Sequence, residues 1–273
     1  MSNKKLVSLA SLRQDLKSGD VVFFQGLASD SMLIRSLTGG IWSHCAMIIK
    51  GDDIGCTEHD LLLFESSVTP GRDIGESGKD STEKAGVMLV DFDSRMQDYA
   101  QSKDYSMFGI RQLDTDRAQK ANTGELKTFA LNRNVRDSVY PAEQQVATEH
   151  FVARDLDNSQ FNNQVLAKIQ SEIKVEAIKN LTDIELKLII SKAIETVHDN
   201  LDSTTHNKFS HRHTTPSHYF CSELVADALM HMEVMEMGNA AGYSPGDLSD
   251  EEDSPLDASY FEVIHIPGDL GRD

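Results

Sequence analysis

Cysteine is scarce in this chain: its 273 residues include three, Cys45, Cys56 and Cys221. An odd and sparse set builds no disulfide framework and suits a reducing compartment. Basic residues are few beside the acidic ones, 26 Lys+Arg against 44 Asp+Glu, for a formal charge of −18. Gripping a phosphate backbone or an anionic lipid surface needs a basic stripe, so this balance argues against both partners. No run approaches the ~20 apolar residues of a membrane-spanning helix. Lys4 and Lys5 precede an apolar stretch, Leu6 to Leu12. That stretch is short, holds Ser8 and Ser11, and meets Arg13 and Asp15 without a small-x-small cleavage site, so no signal peptide is expected. The composition predicts a soluble, cytoplasmic protein.

Short apolar runs rich in strand-forming residues are present, bounded by turn signals. They are Val21–Phe24, Ile41–Ile49, Leu61–Phe64, Val87–Val90, Ser106–Leu113 and Tyr260–Ile266. Helical spacing marks 6–17, 92–101, 143–154 and 160–200, with a short helix at 30–38. The strongest helix is expected from about 221 to 236, where Cys221, Leu224, Val225, Ala228, Leu229 and Met232 form one apolar stripe. Residues 69–86 read as an exposed loop, 114 to about 142 as polar and poorly periodic, and 244–258 as an acidic loop. Strands concentrated early, helices in the middle and a returning strand predict an α+β fold with a mostly antiparallel sheet. A single domain over 1–273 is expected, with 114–215 as a helical insertion or cap.

Three residues stand where apolar runs meet polar neighbours. His44 opens a buried strand, Glu65 closes another, and Cys221 opens the amphipathic helix. The first turn of a helix presents unpaired N–H groups and the positive end of the macrodipole, which favour a thiolate. An imidazole nearby lowers the thiol pKa further, and a third group fixes the imidazole's tautomer. Plain readings are open for each residue taken alone: Cys221 as a small buried hydrophobe, His44 as a core or surface histidine, Glu65 as a solvated strand end. Cys45 follows His44, so in a strand it points to the opposite face and reads as core. Cys56, in a Gly/Asp turn, reads as a surface thiol. His206, His211, His213 and His218 have none of the Cys/His spacings of a structural zinc site, so a solvated loop is expected and neither metal nor cofactor. Met230, Met232, Met235 and Met237 read as core and helix-end packing.

The ordered segments Gly19-Asp20-Val21-Val22-Phe23-Phe24, Trp42-Ser43-His44-Cys45-Ala46-Met47-Ile48-Ile49, Phe64-Glu65-Ser66-Ser67 and Tyr219-Phe220-Cys221-Ser222-Glu223-Leu224-Val225-Ala226 resemble the circularly permuted papain-like hydrolases. These are NlpC-like amidases related to the lecithin retinol acyltransferase group. In that permuted branch the His strand comes first and the Cys helix last, as here. The resemblance spans residues 18–113 and 217–266. It implies a permuted papain-like fold whose sheet packs against the Cys-bearing helix. It also implies Cys221 as nucleophile, His44 as base and Glu65 as the orienting residue. Gln25 and Tyr219 are candidates for oxyanion or substrate positioning. Segment 114–215 departs from the family pattern by its length, so the substrate class does not carry over.

The first expectation is therefore a thiol hydrolase or acyltransferase acting on an amide, ester or thioester of a small molecule, peptide or lipid. The alternatives are a non-catalytic peptide- or lipid-binding module and an assembly component. Residues 216–273 hold 13 acidic residues and one basic residue, Arg272. Acidity gathered around the Cys helix disfavours anionic substrates and suits neutral or cationic ones.

Overall fold

Val21, Val22, Phe23 and Phe24 are all fully buried, because the strand they form is covered on both faces. The protein was analysed as a computed structural model that describes residues 6–28, 31, 34–35, 40–74, 83–136, 219–249, 254–256 and 258–271. Among the described residues six strands form one antiparallel sheet in the order β4-β3-β2-β1-β5-β6. They are β1 (Val21–Gly26), β2 (His44–Lys50), β3 (Leu61–Arg72), β4 (Glu83–Asp91), β5 (Tyr105–Arg111) and β6 (Ile264–Pro267). The helices are α1 (Leu9–Leu12), α2 (Gly51–Ile54), α3 (Phe92–Ser102), α4 (Thr115–Ala118), α5 (Thr123–Arg136), α6 (Cys221–His231) and α7 (Pro245–Leu248). The architecture is thus mixed α+β, as the density of early strands predicts.

Alternation along each strand sorts its side chains into two cores. On one face Phe23, Cys45, Met47 and Phe64 pack against α6 and α5 through Leu224, Val225, Leu229, Leu126 and Phe129. On the other, Phe24, Ile48, Leu63 and Val90 pack against α3 through Phe92, Met96 and Tyr99. Two covered faces explain why these strands read as continuous apolar runs rather than as an in/out alternation. Truncating one such side chain, Phe64→Ala, is expected to cost about 3–5 kcal/mol.

Several boundaries move. The 6–17 helix is reduced to α1 and a 3₁₀ turn at Arg13–Asp15. Strand β3 runs eight residues beyond Phe64, and β4 begins at Glu83, so the ends of the expected 69–86 loop are ladder. Helix α6 stops at His231, five residues short of the expected end. The last strand is confined to β6, with Tyr260 making only an isolated bridge to Leu113. Pro245–Leu248 is a one-turn helix capped by Ser244, whose hydroxyl accepts from Asp247 N–H. Residues 115–118 and 123–136 are helical, and Leu126, Phe129 and Ala130 of α5 enter the α6-side core. The expected helices at 143–154 and 160–200, most of the 30–38 helix and the four histidines of 206–218 lie outside the described residues. Cys56 is corrected: it is buried, not a surface thiol, because the turn after α2 folds it into the α6-side core. Among the described residues no helix is long and apolar enough to cross a membrane.

One close approach shapes the sheet beside the site. Trp42 lies across Gly109 of β5, 5.7 Å from the Phe23 ring and stacked at 5.6 Å on His265 of β6. A Cβ at position 109 would sit 2.7 Å from the indole, so only glycine leaves room for the ring.

Candidate active site

The β2–β3 pairing begins at Met47↔Phe64, which leaves His44 and Cys45 beyond the shared ladder. β3 is paired with β4 from Leu62 to Arg72, so beyond Phe64 β4 is the partner that remains. The start of α6 docks into the resulting notch. Ser66 Oγ donates to the Tyr219 carbonyl at 2.7 Å, and Ser222 Oγ donates to the Tyr243 carbonyl at 2.6 Å. These bonds hold residues on either side of Cys221 and bring the thiol to the first turn of α6. Phe220 has no side-chain acceptor to offer that turn. Glu223 accepts the Phe220 N–H at 3.2 Å, so half of a capping box forms.

Cys221, His44 and Glu65 are joined. His44 Nε2 lies 3.0 Å from Glu65 Oε2, and the Cys221 sulfur acts on the imidazole strongly enough to raise its pKa. With Nε2 held by Glu65, Nδ1 is the ring nitrogen left to exchange a proton with a thiol. The His44 ring also packs 4.9 Å from Phe24, its cross-strand partner. Glu65 is fully buried and accepts three side-chain hydrogen bonds: from His44, from Arg95 Nε at 2.7 Å and from Tyr99 Oη at 2.8 Å. Arg95 in turn donates to the carbonyls of Pro70 and Thr69 at 2.8 and 2.7 Å. A buried carboxylate is costly unless it is paired and hydrogen-bonded, and here both of its oxygens are met by groups of fixed geometry.

The electrostatics follow from that chain of contacts. Burial pushes the Glu65 carboxyl up, but the Arg95 guanidinium, the His44 ring and the Tyr99 hydroxyl outweigh it and hold it below its ordinary value. Burial pushes His44 down, yet the Cys221 sulfur and Glu65 raise it to about 9. Burial pushes the Cys221 thiol up, but the Cys45 thiol, the His44 ring and the Cys45 N–H bring it well below its ordinary value. Burial and the adjoining Cys221 sulfur drive Cys45 the other way, well above its ordinary value. These shifts favour a thiolate at Cys221 beside an imidazolium at His44, and a neutral thiol at Cys45. Charges alternate along Cys221, His44, Glu65 and Arg95, and adjacent opposite charges are what make burying all four tolerable.

No family model matches the chain, and no curated protein matches its sequence.

The other two expected site residues are engaged with other partners. Gln25 is turned toward β5, where its Oε1 accepts from Ser106 Oγ at 2.6 Å, on the far side of β1 from β2. Tyr219 acts through its main chain: its carbonyl takes the Ser66 hydroxyl, while its own hydroxyl donates to Asp227. Sequence reasoning passed over Arg95 and Tyr99. A signal was present, because Phe92, Arg95, Met96 and Tyr99 form one helical stripe and a cation on an apolar stripe needs a buried anion. It also stopped short with Cys45. The face opposite His44 is the one that carries α6, so Cys45 shares a core with Cys221 and acts on its thiol. A separate cavity of about 560 Å³ opens at the other end of α6, lined by Met230, His231 and Met235 among others. Cys221 and His231 are opposite ends of this helix, about 15 Å apart, so the cavity takes no part in this chemistry.

Proposed function

We propose that the protein is a cysteine hydrolase of the circularly permuted papain-like kind, acting on amide, ester or thioester bonds through an acyl-thioester intermediate. The observation that carries the reading is the contact series Cys221–His44–Glu65, with Glu65 locked from behind by Arg95 and Tyr99. The order of these elements along the chain supports the permuted form. The Cys221 thiolate attacks the carbonyl carbon, and the helix-start N–H groups stabilise the oxyanion. His44, as imidazolium, protonates the leaving group. It then takes a proton from water, which attacks the thioester and releases the acid. An alcohol or amine acceptor in place of water makes the same machinery an acyltransferase. The acidic C-terminal region favours neutral or cationic acyl donors.

The test is covalent labelling with an acyloxymethyl ketone bearing a neutral acyl group. Labelling is expected at Cys221, abolished in Cys221→Ala and slowed at least about 100-fold in His44→Ala. Equal labelling of wild type and Cys221→Ala, or a label confined to Cys56, would sink the reading.

A further inference from the structure

Two groups share one oxygen of Glu65. Oε2 lies 3.0 Å from His44 Nε2 and accepts from Tyr99 Oη at 2.8 Å, while Oε1 takes Arg95 Nε at 2.7 Å. Arg95 and Tyr99 stand one turn apart on α3 with the guanidinium 4.4 Å over the Tyr99 ring, so the two donors are held as one unit. The Tyr99 ring also packs edge-on at 5.1 Å against Phe24, which itself packs 4.9 Å from the His44 ring. Tyr99 therefore reaches His44 by two routes, through the carboxylate oxygen and through the Phe24 ring. Ser67 Oγ is a more distant neighbour of the hydroxyl, at 3.4 Å, so its single proton goes to Glu65. Burial and the Glu65 charge push the phenol well above its ordinary value, which keeps it a donor.

Burying a carboxylate does not by itself call for this arrangement. A donor on the other side of Oε1 would satisfy the charge equally well. A donor on Oε2 instead competes with His44 for one oxygen, and a carboxylate stabilised by one hydrogen bond pulls less on the next proton.

We infer that Tyr99 is a positioning residue for the proposed reaction, whose hydroxyl fixes Glu65 Oε2 against His44 Nε2 and weakens that oxygen's hold on the imidazolium proton. The inference rests on the reading of His44 as the acid–base group of the site. Among the described residues, Glu65 of β3 and Cys221 of α6 act on His44 directly, and Arg95 and Tyr99 of α3 act through Glu65. Tyr105 of β5 adjoins Tyr99, with 4.9 Å between ring centroids. Without the Tyr99 hydroxyl the Glu65 charge falls more fully on His44. The imidazolium then holds its proton more tightly and delivers it to a leaving group more slowly. Loss of the Glu65 charge itself acts in the opposite direction.

The experiment follows the His44 ring by histidine nitrogen NMR in the full chain carrying Cys221→Ala, so that the midpoint reports Glu65 and its partners without the thiol. The His44 signal is identified by its loss in His44→Gln. Tyr99→Phe keeps the ring contacts and is expected to raise the His44 midpoint by about half a pH unit. 3-Fluorotyrosine in place of Tyr99 is a stronger donor and is expected to lower it. With Cys221 intact, acyloxymethyl ketone labelling near neutral pH slows about 10-fold in Tyr99→Phe. A midpoint that stays or falls in Tyr99→Phe overturns the positioning role, as do shifts of the same sign in the two proteins. Full-rate labelling in a folded Tyr99→Phe protein also overturns it. If Tyr99→Phe does not fold, the fluorotyrosine protein decides, and a midpoint that fails to fall overturns the role. Wild-type Cys221 that takes no label overturns the hydrolase reading instead, and the midpoints tell the two failures apart because they need no thiol.

Discussion

Arg95 Nε donates to Glu65 Oε1 at 2.7 Å from a helix on the face of the sheet opposite α6. The electrostatics around His44 and Cys221 are therefore supported through the sheet, from one core to the other. Arg95→Leu removes the cation and leaves Glu65 buried with one charged partner fewer. Loss of a buried partner costs about 3–5 kcal/mol, read as a fall in urea midpoint. The pH at which Cys221 alkylation is half-maximal rises in the same variant, because a less firmly ionised Glu65 supports the imidazolium less. Unchanged alkylation in a folded Arg95→Leu protein would show that the cation is structural only.

Glu65→Gln keeps the shape but removes the charge that raises His44. The neutral amide also lets the ring adopt the wrong tautomer toward the sulfur. Acyl-probe labelling at Cys221 is expected to slow by at least about 100-fold. The activity profile narrows as well. In wild type it holds until His44 loses its proton at about 9, and in Glu65→Gln the basic limb falls earlier.

Stability should respond to pH in a way that isolates the ion pair. The folded His44 pKa is raised to about 9 from 6.5, so alone it stabilises fully below 6.5 and loses its effect as pH rises through 9. The Cys221 pKa is lowered from 9.0, so alone it stabilises above 9.0 and loses its effect as pH falls through the folded value. Between about 6.5 and 9 the folded pair and the unfolded pair each hold one proton, and the two slopes cancel. Below 6.5 the unfolded chain binds the extra proton and stability falls. Urea titrations at several pH values are expected to show this acid loss in wild type and its absence in Cys221→Ala.

Asp20 pulls the other way. Burial raises its pKa from 3.8 to about 6, against the Lys17 ammonium at 3.2 Å and the N–H groups of Leu113 and Lys17. The folded state holds this proton longer than the unfolded chain, so its contribution is full below 3.8 and is lost as pH rises through about 6. In the Cys221→Ala background, Asp20→Asn should remove a downward slope between those values. A slope that persists assigns it to another group.

Gly109→Ala places a methyl against Trp42 and Val263, each 2.7 Å from the new Cβ. Overpacking of about 1–3 kcal/mol is expected, seen as a lower melting temperature. The neighbouring β1–β5 and β5–β6 pairs share the strain, so Cys221 alkylation should change little while stability falls.

The three site residues were legible because each interrupts an apolar run at its end. His44 and Glu65 terminate buried strand segments, and Cys221 begins an apolar stripe, so local pattern alone draws attention to them. Arg95 and Tyr99 were not singled out, because their partner lies 30 and 34 residues away and nothing local announces it. The length of β3 was hidden for a related reason. Ser66 and Ser67 look like a turn, yet their hydroxyls are absorbed by the Tyr219 carbonyl and the Tyr99 hydroxyl. Gln25 was attractive by position after β1, but a β-strand register decides which neighbour a side chain meets, and Ser106 met it first.

The bond from Ser66 to the Tyr219 carbonyl closes a span of 153 residues. Contacts of such separation form late, because loop closure must come before the contact rewards it. During synthesis His44, Glu65, Arg95 and Tyr99 all leave the ribosome long before residue 221. The sheet therefore waits with a notch between β2 and β3 until the last fifth of the chain arrives. If His44 and Cys221 act as proposed, the nascent protein carries the base and its support but no nucleophile, and reactivity switches on only once the fold is nearly complete.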